Sequence, residues 1–411
     1  MNILVLSDKF PPLSSAGAEK IAWIISTEYL KCGYSVSIIT INDELKNGEI
    51  KKVKYDGLTV YQIGSSYNRY LIAYVSLYNP WVLTAIKNIL SENYFDFAHI
   101  HNIHTHISYS VITLLKSLKI KSILTAHDAM SIEYGKFIQG INPNDISQNP
   151  KVNKKINPFK SFMANKRSYN PFRNMMIKYY LNKLEKIITV SHEQELLLNA
   201  NGIMNTITIN NGIVPLSEKP SNQEIVKFKE QYNIKDNMKI LLWAGRLSDA
   251  KGGQQIIEVL KRLISTGQNV KLLIVGKLYF VDNELEEYII CTNWLDEKNI
   301  QIAYLVSHIT LVPSICYDMF PTVVLESIRS STPVIAGCFG GAKEVITNGE
   351  NGYIINPFNI NEFYDKICII LDKDNMIKEL DVFLKMELTI ENCVNHYINL
   401  FNKIDEDKHS Q

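Results

Sequence analysis

The sequence predicts an α/β protein with two doubly wound domains in tandem, on three observations. The 411 residues are 46% hydrophobic, an ordinary globular composition for roughly two domains of about 150 to 200 residues, each able to bury its own core. Short β-branched runs alternate with amphipathic segments through the first half. After a polar stretch near the middle the alternation starts again, and such alternation builds parallel sheets covered by helices.

The first unit sets the pattern. Ile3-Leu4-Val5-Leu6 reads as a strand, a turn rich in Pro, Ser and Gly follows, and Ala18 to Lys31 places Ile21, Ala22, Ile25, Tyr29 and Leu30 at helical spacing. Gly33 stops that helix and Val36 to Ile41 is the next strand, completing a βαβ unit. Phe97 to His101, Ser122 to Ala126, Ile187 to Val190 and Thr206 to Ile209 read as further strands, with a capping-box helix start at Ser191-His192-Glu193-Gln194. The polar segment from about Val214 to Asn237, with Pro215 and Pro220, reads as a linker. Beyond it, Lys239 to Ala244, Val270 to Val275, Tyr288 to Thr292, Ile309 to Val312 and Pro333 to Ala336 read as buried parallel strands. The expected organisation is an N-terminal domain over 1–213, a linker over 214–238, a C-terminal domain over 239–385, and a helix and tail over 386–411 that returns toward the first domain. Sheets of this kind bind ligands at the carboxyl ends of their strands.

Charge and cysteine usage narrow the classes. With 43 basic and 42 acidic residues the net charge is +1, which argues against a bulk nucleic-acid binder but leaves room for a local basic surface. No secretory signal is visible at Met1-Asn2-Ile3, and the most apolar stretch, Leu71 to Ile86, is interrupted by Asn79-Pro80, short of the roughly 20 residues that span a bilayer. The six cysteines form no C-x-x-C pair, so neither a zinc ribbon nor a disulfide framework is suggested, and a cytoplasmic location is expected.

Two stretches carry chemistry. In Pro313 to Ser327 a strand ends in a loop bearing Asp318, and a helix opens near Pro321 with Glu326 about one turn inside. A helix start is an anion site, because unsatisfied amides and the macrodipole converge there, and Glu326 could accept both hydroxyls of a ribose attached to the phosphate. The plain alternative makes Glu326 a solvent-facing helix residue and Asp318 a turn former. The second stretch, Trp243-Ala244-Gly245-Arg246-Leu247 with Lys251-Gly252-Gly253, puts two cations at another helix start, where cations are unfavourable unless an anion binds. Arg246 offers a fork and Lys251 a point charge to a diphosphate.

With Arg246, Lys251, Asp318 and Glu326 in this order, the chain resembles the retaining glycosyltransferases of family 4, also called group 1. The resemblance runs from the first loop to Gly349-Glu350-Asn351-Gly352-Tyr353 and centres on Asp318-x7-Glu326 followed by Gly340-Gly341. It implies the GT-B fold, with two Rossmann-like doubly wound domains facing across a cleft. It further implies a hexosyl transfer from a nucleotide-diphosphate sugar, with Glu326 on the donor ribose, Asp318 on the transferred sugar, and Arg246 and Lys251 on the diphosphate. Amides near Phe320, Pro321, Thr322 and Val323 would assist the phosphates. In the first domain, Gly17 belongs to the glycine-rich loop, and His127 in Thr125-Ala126-His127-Asp128 resembles the strand-end histidine that reaches the donor sugar. Two departures stand out: Asp318 where the family usually has Glu, and Ala16-Gly17-Ala18-Glu19 where it has Gly-Gly-Ala-Glu.

No cofactor and no metal are expected. His99, His101, His104 and His106 are a tempting metal cluster without Cys or carboxylate among them, and the Asp-x-Asp matches, Asp372-Lys373-Asp374 and Asp405-Glu406-Asp407, do not follow a strand. The cationic clamp would stabilise the departing diphosphate instead, in a front-face retaining route. Competing readings are a catalytically silent nucleotide-sugar or glycan-binding scaffold, an epimerase or phosphorylase sharing the fold, and an oxidoreductase; the last lacks Gly-x-Gly-x-x-Gly after Leu6.

The segment Lys151 to Lys186 contains ten Lys or Arg, one acid (Glu185), and interspersed aromatics such as Phe159, Phe162 and Phe172. Such a mixture suits an anionic membrane surface. Over 151–173 the expectation is membrane contact at the inner face of the cell membrane, with a glycan or lipid-linked acceptor in surface polysaccharide or glycolipid synthesis and no nucleic acid. The plain alternative is a solvated loop followed by a helix whose Met176, Tyr180 and Leu184 pack on the sheet.

Overall fold

The computed structural model describes residues 1–14, 17–214, 219–245, 247–277, 283–372 and 388–409. They fall into two compact units, one of Met1–Gln139, Lys154–Gly212 and Ile390–Gln411, the other of Gly140–Asn153 and Ile213–Thr389.

The first unit is an eight-stranded sheet of β1 (Asn2–Leu6), β2 (Ser35–Asn42), β3 (Ile50–Tyr55), β4 (Leu58–Gly64), β5 (Phe97–Ile100), β6 (Lys121–Ala126), β7 (Lys186–Thr189) and β8 (Thr206–Thr208), in the order β3-β4-β2-β1-β5-β6-β7-β8. All pairings are parallel except the β3–β4 hairpin. Ile3 to Leu6 are fully buried, as expected of a central strand covered on both faces. Helices α1 (Gly17–Lys31), α2 (Ile72–Val75), α3 (Pro80–Glu92), α4 (Val111–Ser117), α5 (Pro158–Asn165), α6 (Arg173–Leu181) and α7 (His192–Ala200) connect the strands. Asn79-Pro80, which breaks the most apolar stretch, is the start of α3: the Asn79 side chain accepts from the Val82 amide and Pro80 takes the first turn. The C-terminal helix Ile390–His409 packs against α1 and sets Phe401 against Phe97, their ring centroids 4.5 Å apart.

The second unit is a six-stranded, all-parallel sheet of β9 (Lys239–Ala244), β10 (Val270–Val275), β11 (Ile289–Asn293), β12 (Ile309–Val312), β13 (Val334–Gly337) and β14 (Gly352–Ile355), in the order β11-β10-β9-β12-β13-β14. The strand order reverses between β9 and β12, the doubly wound arrangement in which ligands sit outside that switch point. One face buries Ile256, Leu260 and Leu263 of α9 (Gly253–Ser265) with Phe363 and Ile367 of α12 (Ile360–Leu371). The other buries Phe228 and Ile234 with Ile302 and Tyr304 of α10 (Glu297–Leu305).

Two segments differ from the sequence expectation. The stretch 214–238 is not a bare linker: it contains α8 (Asn222–Gln231), opened by a capping box in which Ser221 and Glu224 satisfy each other's amides, and Phe228 anchors it in the core. Residues 140–153 join the second unit although the chain around them belongs to the first, because Asn356 Nδ2 donates to the carbonyls of Asp145 at 2.6 Å and Ser147 at 2.8 Å. Truncating the α8 anchor, Phe228→Ala, should cost about 3–5 kcal/mol through lost burial and a residual cavity. Urea unfolding is the measurement, and a loss below about 1 kcal/mol would return 214–238 to a linker.

Candidate active site

The second unit brings the two predicted stretches together at its switch point. Gly252, between β9 and α9, has φ +85, and a Cβ there would lie 2.0 Å from the Pro313 carbonyl oxygen. Only glycine permits that approach, and it lets the Ala250 carbonyl accept from the amides of Ile315 and Cys316 at 3.2 Å each. The loop after β9 is thereby bonded to the loop after β12. Lys251 Nζ then reaches Asp318 Oδ2, to which Ser314 Oγ also donates at 3.1 Å. Burial lowers the Lys251 pKa, but Asp318 more than offsets it and the value ends above the ordinary 10.5. Lys251 is therefore charged throughout the neutral range. Arg246 lies outside the described residues.

Asp318 is fixed from its backbone as well. Its amide donates to the Phe339 carbonyl at 3.0 Å and its carbonyl accepts from Gly341 at 2.9 Å. Gly340, at φ +111, passes so close that a Cβ would fall 1.8 Å from the Asp318 carbonyl oxygen, a structural reason for the glycine pair that follows the Asp-x7-Glu run.

Helix α11 (Thr322–Arg329) starts after Pro321 without any side-chain cap, which leaves its leading amides to an anion. Phe320 is buried, while Pro321, Thr322 and Val323 are half-buried. Pro321 has no N–H, so Thr322 and Val323 are the donors at this end. Glu326 is half-buried one turn on, and Tyr304 donates to its Oε2 at 2.9 Å. Burial first and Glu326 second raise the Tyr304 pKa well above 10, so its hydroxyl stays a donor. Tyr304, which the sequence reading missed, is a positioning group for Glu326; it is contributed by α10, and no spacing rule links the two.

In the first unit the histidines lie at the carboxyl ends of neighbouring strands β5 and β6. His99 is inside the sheet, bonded to the Tyr29 hydroxyl at 3.0 Å and to Thr125 Oγ1 at 2.8 Å, and Thr125 Oγ1 also meets the Tyr397 hydroxyl at 3.0 Å. His101 Nδ1 is 2.8 Å from His127 Nε2, with the rings stacked. Burial, together with the neighbouring His127, lowers His99 to about 3, and burial lowers His127 to about 4. His106 Nδ1 bonds Ser65 Oγ at 3.0 Å and His104 Nε2 lies 3.6 Å from Asp128 Oδ2. Among the described residues, no group of three or more His, Cys, Asp or Glu is arranged to hold a metal ion. Gly17 opens α1, and a Cβ on it would meet nothing within 4 Å; Ala16 lies outside the described residues, as does Lys373-Asp374 of one Asp-x-Asp match.

A switch-point site with an anion-ready helix start, on two doubly wound units, defines the class: a GT-B protein. The solved structures agree on the fold. Sucrose-phosphate synthase from Thermosynechococcus elongatus superposes with a TM-score of 0.74 at 16% identity over 99% of each chain. An Anabaena protein in complex with UDP and glucose superposes with a TM-score of 0.68 at 15% identity, over 97% of this chain and 99% of its own. In sequence, residues 15–215 match the family described as Glycosyltransferase Family 4 and residues 224–382 match Glycosyl transferases group 1. The chain belongs to this family of group 1, family 4 glycosyltransferases. It is 27% identical to spore coat protein SA of Bacillus subtilis over 164 residues, 36% of this chain and 44% of that protein. The same identity relates it over 161 residues to the capsular polysaccharide biosynthesis glycosyltransferase CapM of Staphylococcus aureus, 36% of this chain and 41% of the relative. The alignments thus span about half or less of the curated relatives' lengths.

Two predictions follow from the geometry. Lys251→Met removes the ammonium that reaches the Asp318 carboxylate, and should lower stability by about 1–3 kcal/mol; an unchanged unfolding midpoint would mean that the pair is solvent-screened. The histidines give a pH effect of defined sign. His99 and His127 are neutral in the fold but would titrate near 6.5 once unfolded, so the unfolded state binds more protons below that pH. Stability should fall as pH drops through 6.5 toward these folded values. The slope between pH 7 and pH 5 should be shallower in His99→Gln, and identical slopes would show that His99 is not a titrating contributor.

Proposed function

We propose that the chain is a retaining glycosyltransferase that moves a sugar from a nucleotide-diphosphate donor to a glycan or lipid-linked acceptor in surface polysaccharide or glycolipid synthesis. The observation that carries this reading is the joining of the loops after β9 and β12, which sets Lys251, Asp318 and the open start of α11 at one switch point. In this reading Arg246, Lys251 and the amides of Thr322 and Val323 receive the diphosphate, and Glu326, aimed by Tyr304, accepts the ribose hydroxyls. His127 and Asp318 act on the transferred sugar, Gly17 admits it, and the departing phosphate helps to deprotonate the acceptor. Asp318 is one methylene shorter than the usual Glu, so the pose of the sugar shifts with it. The UDP and glucose bound by the Anabaena protein, and the polysaccharide named for the Staphylococcus relative, support a nucleotide sugar and an envelope glycan.

No metal takes part in the chemical step on this reading, since the positive field at the diphosphate comes from side chains and amides. The acceptor is met at an anionic membrane surface through residues 151–173. A silent nucleotide-sugar-binding scaffold would bind the same donors without turnover.

A panel of nucleotide sugars screened by thermal shift and by slow donor hydrolysis tests the reading. One donor should raise the melting temperature and be hydrolysed with EDTA present. Binding without hydrolysis favours the scaffold, and hydrolysis restored only by Mn²⁺ or Mg²⁺ overturns the metal-free route. Glu326→Ala should weaken donor binding about 10- to 100-fold, as loss of charge-assisted hydrogen bonds would. Tyr304→Phe should raise donor KM by a smaller factor with little change in kcat. Equal donor dissociation constants for Glu326→Ala and wild type would remove Glu326 from the ribose.

A further inference from the structure

Two long segments contain no acidic residue, and apart from residues 146–153 they lie in the first unit. Between Asp56 and Glu92 lie 35 residues, and between Asp145 and Glu185 lie 39, without one Asp or Glu. The whole chain has 42 acids in 411 residues, about one in ten, so seven or so would be expected across the two stretches on an even distribution. The first contains Arg69 and Lys87; the second contains Lys160, Lys166, Arg167, Lys178 and Lys183 among its cations.

The fold places these segments side by side. The short helical turn Arg69–Leu71 packs on the turn Lys166–Ser168. Asn170 Nδ2 lies 3.5 Å from the Ala73 carbonyl oxygen, and Tyr78 is near enough to Tyr180 to help raise its pKa after burial and Tyr179. Both segments expose large apolar groups. Tyr70, Tyr74 and Trp81 on the first, and Phe159, Phe172 and Met175 on the second, are each between 51% and 69% exposed. Exposed groups of this size on adjoining segments are unusual in a surface that faces only water.

The cations are partly organised by the fold. Lys160 Nζ donates to the Gln139 carbonyl at 3.0 Å, and Lys154 pairs with Glu193 at 3.2 Å. Arg173 is not part of the surface, contrary to its place among the basic residues read from the sequence. It is 1% exposed, donates to the Met130 carbonyl and to Asn174 Oδ1, and lies 4.7 Å from the Tyr134 ring centroid. Burying it pins 130–134 to α6 and leaves Phe172 and Met175 on either side facing out.

We infer that the adjoining segments Arg69–Trp81 and Pro158–Tyr179 form a single docking face for an anionic bilayer, the first supplying mainly aromatic anchors and the second mainly cations. The inference rests on the acceptor reading above and extends the contact to a segment outside 151–173. Absence of acids removes repulsion from anionic headgroups, each basic group adds attraction at the surface, and Tyr, Trp and Phe favour the interfacial layer. No helix among the described residues is long and apolar enough to cross a membrane, so the contact is interfacial. A face meant for a protein partner has no need to be free of carboxylates over both segments, and that asymmetry selects the lipid surface.

The full chain is mixed with vesicles of phosphatidylcholine, alone or with phosphatidylglycerol, and sedimented. Binding should rise steeply with phosphatidylglycerol and weaken with salt. The triple change Tyr70→Ser, Tyr74→Ser, Trp81→Ser should reduce the partition coefficient about tenfold, as should Lys160→Ser, Lys166→Ser, Arg167→Ser. Brominated lipid should quench tryptophan fluorescence in wild type and much less in Trp81→Phe, a readout that survives if the triple variant folds poorly. Donor hydrolysis in vesicle-free buffer should be unchanged in every variant, which separates failure of the surface from failure of the transferase reading. Binding that ignores phosphatidylglycerol, quenching that persists in Trp81→Phe, or a homopolymer RNA that binds as tightly and displaces the vesicles would each overturn the inference.

Discussion

Backbone crowding at the carboxyl ends of β9, β12 and β13 is the constraint on which the candidate site depends. The Ala250 carbonyl can receive two amides from the loop after β12 only because Gly252 has no side chain to meet Pro313. Gly340 allows the same closeness between the loop after β13 and Asp318. Lys251 and Asp318 are thus held together by main chain before their charges interact. The ion pair is the consequence of that packing, and its orientation relative to the start of α11 follows from it.

The two units treat ionisable groups in opposite ways. At the switch point of the second sheet, burial of Lys251 is offset by a carboxylate and the charge is kept. In the first sheet, His99 and His127 are buried beside hydroxyls and other imidazoles, and the charge is given up. Desolvation acts on both, and the neighbour decides the outcome.

The near-zero net charge conceals a further division. Acids are absent from two long stretches that the fold makes neighbours, while the chain as a whole is balanced. An average over 411 residues is therefore a poor guide to the field at any one face. Arg173 carries the complementary lesson: a cation in a basic run can be an internal fastener whose guanidinium serves carbonyls and an aromatic ring.

What the sequence determined by itself was local. Runs such as Lys239 to Ala244 and Val270 to Val275 coincide with β9 and β10 because apolar runs of that length have few alternatives in an alternating chain. Lys251, Asp318 and Glu326 were legible because cations and carboxylates stood beside helix starts. The β3–β4 hairpin, whose turn is marked by Asp56-Gly57, and α8, whose capping box is spelled by Ser221 and Glu224 inside a stretch that its prolines make linker-like, emerge only in the structure. Tertiary structure alone decided that Tyr304 aims Glu326, that His101 meets His127, that 140–153 joins the second unit, and that Arg69–Leu71 adjoins Lys166–Ser168. Each of those depends on which strands and helices become neighbours, and that is set by packing between residues far apart in the chain, where spacing along the sequence carries no signal.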